Sequence, residues 1–412
     1  MIISKALLVN LVITSKKNFP RASSFTLSSS SSSSPHRHLQ SQTRPLSSIL
    51  PRSIMSLNVS TSNVLSDETL SKVSKIHSIV SSDVNDRGMK HLIVDGDFLE
   101  AAKLFARLTR SKNTPEQPSQ RQSTTDNDGI RPTVLLLSGF PCLVDHDPPT
   151  ETDGPNGTFA LAYCAVALGY RCVIVTDECN AKVFEAGLKS LLEIMSLTHD
   201  GSLIDFKVFE GRDVITLEDE NNMKELASMA DLIVACERAG PASDGNCYTM
   251  RGIDMTSRKL IAPLHKMMEY TKNNRVTFIG IGDGGNELGM GKVIERVKRH
   301  IPMGETIGCV VPADYLIAAS VSNWGAYALC GAAALIRAED SDSDGSCSST
   351  PAWMKKCLVT EEEDLNILKE CMKAGCRDGV NGRLDEPFVD GMPAEKSLEC
   401  LRAIWDAALG ES

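Results

Sequence analysis

From Thr133 onward, short apolar runs alternate with longer segments of helical period. TVLLLSG, RCVIVTD, IDFKVFE, DLIVACE, RVTFIGIG and TIGCVVPAD read as strands, while GTFALAYCAVALG and AKVFEAGLKSLLEIM read as helices. Helix-length spacers between buried strands require parallel crossovers, so the pattern predicts an α/β fold with a mainly parallel sheet covered on both faces. Upstream, LSKVSKIHSIVSS and GDFLEAAKLFARLTR predict two or three amphipathic helices. The polar, Pro-bearing stretch 111–132 reads as a linker or surface loop, and 338–351 as an exposed insertion. The chain thus divides into 1–66, 67–132 with N-terminal helices and linker, and an α/β domain over 133–412.

Charge changes the picture at the N-terminus. Seven of the 43 Lys and Arg residues, and none of the 53 Asp and Glu residues, precede Asp67, and serines run unbroken from Ser28 to Ser34. Arg-containing, Ser-rich and acid-free composition is that of an organellar transit peptide, with mitochondrion and plastid as destinations. Met55 offers an internal start that would leave a cytosolic form. MIISKALLVNLVI is too short and too interrupted by Lys5 to span a bilayer. The body after residue 66 carries a net charge of −17, which argues against nucleic acid and for divalent cations or plain solubility. Thirteen scattered cysteines without a C-x-x-C pair read as small buried hydrophobes in a reducing compartment. Oligomeric state carries no signal in the sequence.

In parallel sheets, ligands sit beyond the carboxyl ends of the strands. Five of these strands are followed by an acid: Glu151 and Asp153 in the ETDGP loop, then Asp177 and Glu178, Glu237, Asp283 with Glu287, and Asp314. One acidic loop is a solvated surface, but five aimed at one rim suggest a site. Glu151, Asp153, Asp244, Asp254, Asp283 and Glu287 are candidate oxygen ligands for Mg²⁺ or Mn²⁺. Taken singly, each is as well explained as a helix cap or turn carboxylate. Arg238 and Arg251 suit a bidentate clamp on a substrate carboxylate, or pair with neighbouring acids. In SNWGAY, Ser322, Asn323 and Trp324 open a helix and offer hydrogen bonds and an aromatic wall, or a simple cap. Among the histidines only His146 is kept as a proton carrier, against the plainer reading of a surface loop.

GIGDGGNELGMGK, Gly280 to Lys292, satisfies G-x-G-x-x-G, yet six glycines in so short a run satisfy many spacings. The acidic partner of a dinucleotide fingerprint is missing twenty residues on, and Asp283 and Glu287 would repel a pyrophosphate. No nucleotide is therefore expected. The glycines instead let carboxylates and backbone crowd a small ligand, and Lys292 reads as a charge partner.

GFPCLVDHDPPTETDGPNG, ERAGPASDGNCYTMRGID, GIGDGGNELGMGK and VSNWGAYAL, in this order, resemble the catalytic C-terminal domain of the D-glutamate cyclase family, over about residues 133–405 with the late segment RDGVNGRLDEPFVDGMP. The resemblance implies a three-layer α/β sandwich and conversion of D-glutamate to 5-oxo-D-proline and water. It also implies an acidic cavity with a divalent metal and, for animal members, a mitochondrial address. Animal members carry a further large N-terminal domain; here a leader and a few helices stand in its place. On this reading Asp153, Asp244, Asp283 and Glu287 perform metal or acid–base work, and Arg238 and Arg251 hold the α-carboxylate. Gly284, Gly285, Asn286 and Asn323 line the substrate. The same acids would also serve a metal-dependent, phosphatase-like hydrolase, and turn chemistry alone would leave a non-catalytic binding protein.

Overall fold

Helices α1 (Asp67–Val80) and α2 (Asp97–Ala106) precede the first strand, β1 (Thr133–Gly139). Then come α3 (Pro155–Ala167), β2 (Arg171–Asp177), α4 (Ala181–Met195), β3 (Ile204–Phe209), α5 (Leu217–Met229) and β4 (Leu232–Arg238). The single turn α6 (Met267–Tyr270) leads to β5 (Thr277–Gly282), α7 (Ile294–His300), the turn α8 (Gly304–Ile307) and β6 (Tyr315–Ala318). The rest is helical: α9 (Ser322–Ser343), α10 (Thr350–Cys357), α11 (Glu361–Lys373) and α12 (Glu395–Leu409), with a hairpin of β7 (Phe388–Val389) and β8 (Met392–Pro393) before α12. This computed structural model describes residues 64–110, 131–212, 214–272, 275–343 and 349–411. Nearly all of the leader, most of the 111–132 linker and the centre of the 338–351 segment lie outside the described residues.

The main sheet is wholly parallel, in the order β3-β2-β1-β4-β5-β6. Alternate residues of each strand feed opposite cores, because side chains alternate with period two. Val134, Leu136, Ile174, Val234 and Ile281 join α1–α4 and α9–α12, whereas Leu135, Leu137, Val175 and Ile233 join Met223, Val297 and Ile307 from α5, α7 and α8. The result is the expected three-layer α/β sandwich, with a thicker layer on the α9 side.

α9 is the post of that layer. It packs against α1, α2, α3, α10 and α12, and its alternation of Ala with large residues lets these neighbours approach closely. α1 and α2 are therefore part of this core: Ile76 and Phe105 are fully buried in it. Phe105 meets Tyr170 edge-on at 6.4 Å, and the Tyr170 hydroxyl donates to the Phe105 and Ala106 carbonyls.

Two sequence expectations fail locally. CVVPA is no strand of the sheet, because its backbone bonds to loops: Gly289 and Gly291 donate to Val311, and Val310 donates to Pro241. β6 starts after it, so Asp314 sits at the opposite, amino-terminal edge of the sheet, accepting from the Phe278 amide at 2.8 Å. The first part of the 338–351 segment is the end of α9, with Ala338 and Ser341 buried rather than exposed.

If α1 and α2 are integral, Phe105→Ala should shift the main denaturant transition of the whole chain by about 3–5 kcal/mol, the usual loss for a fully buried Phe. A change confined to a separate minor transition would mean that these helices fold apart.

Candidate active site

In a sheet of this order the strand connections diverge between β1 and β4, opening a crevice at the carboxyl edge. The acids collect there. Glu151 and Asp153 come from the loop after β1, Glu237 from the end of β4, and Asp283 and Glu287 from the turn after β5, all buried. Ser322 and Asn323, at the start of α9, close the floor.

Asp153 sits on the N-terminus of α9. Its two oxygens accept from the Ser322 amide at 2.9 Å and the Asn323 amide at 2.8 Å. Unpaired amides and the helix dipole there favour negative charge. Asn323 is consumed in positioning: its side-chain oxygen accepts from Gly154 and Gly157, and its amide group donates to the Thr152 carbonyl.

Glu237 occupies a β-bulge. Ser138 pairs with Cys236 and Gly139 with Arg238, leaving Glu237 unopposed, with φ of 43°. A bulge re-aims the side chains that follow it. Glu237 turns into the crevice, where its carboxyl group accepts from the Ser322 hydroxyl at 2.5 Å. Arg238 is carried to the sheet face of Asp177 and locked there in a fully buried ion pair, with a further bond to the Ala262 carbonyl. This geometry supports a structural role for Arg238 beside Asp177.

The Gly-rich turn is organised from within. Glu287 accepts the amides of Asp283 at 3.0 Å, Gly284 and Gly285, so these donors face their own loop and not the crevice. The packing needs glycine: a Cβ on Gly282 would lie 2.9 Å from the Glu287 carboxyl carbon. Asn286 donates to the Tyr248 carbonyl. Glu287, Gly284, Gly285 and Asn286 thereby position Asp283, which faces the other acids. Lys292 does find a charge partner, Asp97 on α2 at 2.6 Å.

Other expected residues lie outside the cluster. Asp244 is exposed and accepts from Tyr248 and Asn246. Asp254 closes a local turn by accepting the Thr256 and Ser257 amides. Each carboxylate is satisfied by backbone or hydroxyl groups a few residues away, the turn chemistry that such loops favour. Arg251 is exposed and bonds the Val380 carbonyl. His146 is on the surface, and Trp324 is buried with its N–H on Ser397.

Two members come from segments that strand-end reasoning does not reach. Asp390 is the tip of the β7–β8 hairpin, a two-residue Asp-Gly turn with φ of 53° and 79°, and Asp-Gly between strands is a hairpin signal. Arg87 belongs to the turn after α1, where Asp83 accepts the amides of Arg87 and Gly88. Its guanidinium reaches Asp283 at 2.5 Å and holds Asp390. Nothing in the local sequence marks it.

Electrostatically the cluster is crowded. Burial, then the charge of Asp283, push Asp153 up to about 7, against the pull of the α9 amides and Arg87. The same two causes push Glu287 to about 8 and Asp390 to about 9. Burial raises Glu151 well above the carboxylate range, with Asp153 and Asp283 adding to it. Glu237 is raised likewise by burial, then by Asp283 and Glu287. Arg87 loses solvation, but Asp283 and Asp390 hold it more firmly protonated than usual. Protons or a cation must supply the missing positive charge. One oxygen each from Asp153, Glu237 and Asp283 lies within 4.8 Å of the others. Three loop carboxylates converging in this way fit a hard divalent cation.

A wholly parallel six-stranded sheet with a buried carboxylate cluster at its switch point places the chain among the α/β proteins. A family model described as D-glutamate cyclase-like, C-terminal, matches residues 76–405. The chain belongs to the D-glutamate cyclase family. It is 30% identical over 340 residues, 78% of its length, to a human protein named D-glutamate cyclase, mitochondrial. It spans about half of that relative, 49%. The matched region begins inside α1 and takes in Arg87, further upstream than the four motifs indicate. Among the described residues no helix is long and apolar enough to cross a membrane.

The raised carboxyl groups fix a pH dependence. Each takes up its proton more readily folded than unfolded, so its contribution is full below the ordinary carboxyl pKa of about 4. It is lost as pH rises through about 7, 8 and 9, the folded values of Asp153, Glu287 and Asp390. In chelator, the midpoint of thermal unfolding should fall as pH rises from about 4, most steeply below about 7, and level off above about 9. Asp153→Asn should flatten the first part of that decline, and an unchanged slope would contradict the assignment.

Proposed function

We propose that this chain is a D-glutamate cyclase, closing D-glutamate to 5-oxo-D-proline and water. The observation that carries the reading is the convergence of Asp153, Glu237 and Asp283 in one crevice beside Arg87, in a chain of this family. The human relative's name supports the substrate. The acid-free, Ser-rich leader supports an organellar destination, and the human relative's name supports the mitochondrion over the plastid.

Ring closure joins the α-nitrogen to the side-chain carboxyl carbon. The ammonium gives up two protons overall, and both leave in water with one carboxyl oxygen. An ionised carboxylate is a poor electrophile, so its charge must be neutralised first. Asp153, Glu237 and Asp283 would hold a divalent cation, which when bound supplies Lewis-acid polarisation of that carboxyl group. The chain's own groups do the rest. With no cation on it, Glu237, whose burial beside Asp283 and Glu287 favours the protonated form and which the Ser322 hydroxyl holds in place, can protonate the departing oxygen. Asp153, near 7, can exchange protons in either direction. A buried crevice that folds the substrate so nitrogen meets carbon adds the proximity contribution.

The decisive assay incubates purified chain with D-glutamate, L-glutamate and a phosphoester, each with Mg²⁺, Mn²⁺ or chelator. Oxoproline should form from D-glutamate and fall with chelation, and Asp283→Asn should cost about a hundredfold in kcat/KM, typical for removing one stabilising polar group. Failure to form oxoproline from D-glutamate in any condition sinks the reading. Phosphate release abolished by the same substitution would favour the hydrolase instead.

A further inference from the structure

Asp390 is bound the way a free carboxylate would be. Its two oxygens face two guanidinium nitrogens of Arg87, Nη1 to Oδ1 at 2.9 Å and Nη2 to Oδ2, the fork geometry that arginine uses for carboxylates. The Asn85 side-chain amide adds a third donor to Oδ2 at 2.7 Å. The two halves of this arrangement come from separate segments of the chain. Arg87 and Asn85 stand on a turn whose amides are tied to Asp83. Asp390 rides on the tip of a two-residue hairpin, pinned through the Gly391 amide to Asp378 at 2.7 Å. Arg87 retains side-chain exposure of 25%, and the same nitrogen that grips Asp390 also reaches Asp283, at the edge of the acid cluster.

We propose that Arg87 and Asn85 form the carboxylate-binding cradle of this site, and that Asp390 occupies it in the substrate's place. On binding, the ligand carboxylate would take over the fork while the hairpin tip withdraws, leaving Arg87 anchored by Asp283. This rests on the proposed cyclase reading for the identity of the ligand. In D-glutamate the side-chain carboxyl must face Asp153, Glu237 and Asp283 to react, so the group held by Arg87 is the α-carboxylate. Arg87 is then a specificity-determining residue, selecting ligands with a second carboxylate at the spacing of glutamate.

Two readouts on the full chain test this separately from turnover. The first is calorimetric binding of glutarate, a non-reacting dicarboxylate. Arg87→Met should weaken it on the order of tenfold to a hundredfold, the value of a charge-assisted forked pair. Asp390→Asn should tighten it severalfold, because the internal competitor then offers the fork one acceptor oxygen in place of two. A mere structural clip predicts the opposite sign for Asp390→Asn, and that substitution keeps the test alive if Arg87→Met fails to fold. The second readout compares D-glutamate with its α-carboxamide. Wild type should favour D-glutamate through KM, and Arg87→Met should erase most of that preference. No glutarate binding by wild type, unchanged binding in Arg87→Met, or weakened binding in Asp390→Asn overturns the cradle. Absence of oxoproline in every variant, with the binding pattern intact, overturns the cyclase reading and leaves the cradle standing.

Discussion

Everything at the carboxyl edge of the sheet answers to one constraint: Glu151, Asp153, Glu237, Asp283, Glu287 and Asp390 are buried near one another, with the Arg87 guanidinium paired to two of them. An uncompensated buried charge costs several kcal/mol, so each carboxyl group must find donors, a proton or a cation. The chain divides the task. The α9 amides take Asp153, the turn amides take Glu287, the Ser322 hydroxyl takes Glu237, and Arg87 bridges Asp283 and Asp390. The helix start, the glycine turn, the bulge and the hairpin are four local solutions to the same electrostatic problem.

The sheet order sets where that problem arises, and a single extra residue decides who takes part. Were β4 regular to its end, Arg238 would fall on the face of Cys236, toward α9. The bulge at Glu237 shifts the alternation, so Arg238 faces Asp177 and Glu237 enters the crevice. A buried guanidinium without its carboxylate would itself be costly. Asp177 therefore stabilises the bulge indirectly, by giving Arg238 a partner only in the shifted register.

The parallel sheet was legible because buried strands and crossover helices differ in period, and period survives without any knowledge of contacts. Asp153 and Asp283 were legible because a strand end fixes which edge a loop occupies. Edge is not direction, however. Asp244 and Asp254 follow strands just as Asp153 does, yet they turn back onto backbone within four residues. Asp314 misled because CVVPA has a strand's composition but bonds to loops. Arg87 and Asp390 were out of reach for a different reason: their contacts span 196 residues to Asp283 and 303 to each other. Such contacts depend on how α1 and the hairpin pack around α9, which no local pattern encodes.

The glycine turn shows how a familiar loop can carry an unfamiliar task. Phosphate cradles aim successive amides outward, at an anion that arrives from solvent. Here the amides of Asp283, Gly284 and Gly285 point inward at Glu287, four positions or fewer along the same loop. The acceptor is built in. A phosphate would have to displace a carboxyl group already holding three backbone donors and then sit among the neighbouring acids. The physical content of the glycines is thus the space they leave for Glu287. That internal carboxyl group converts an anion-binding turn into a rigid mount, presenting one outward carboxylate where Asp153 and Glu237 can share a cation or a proton with it.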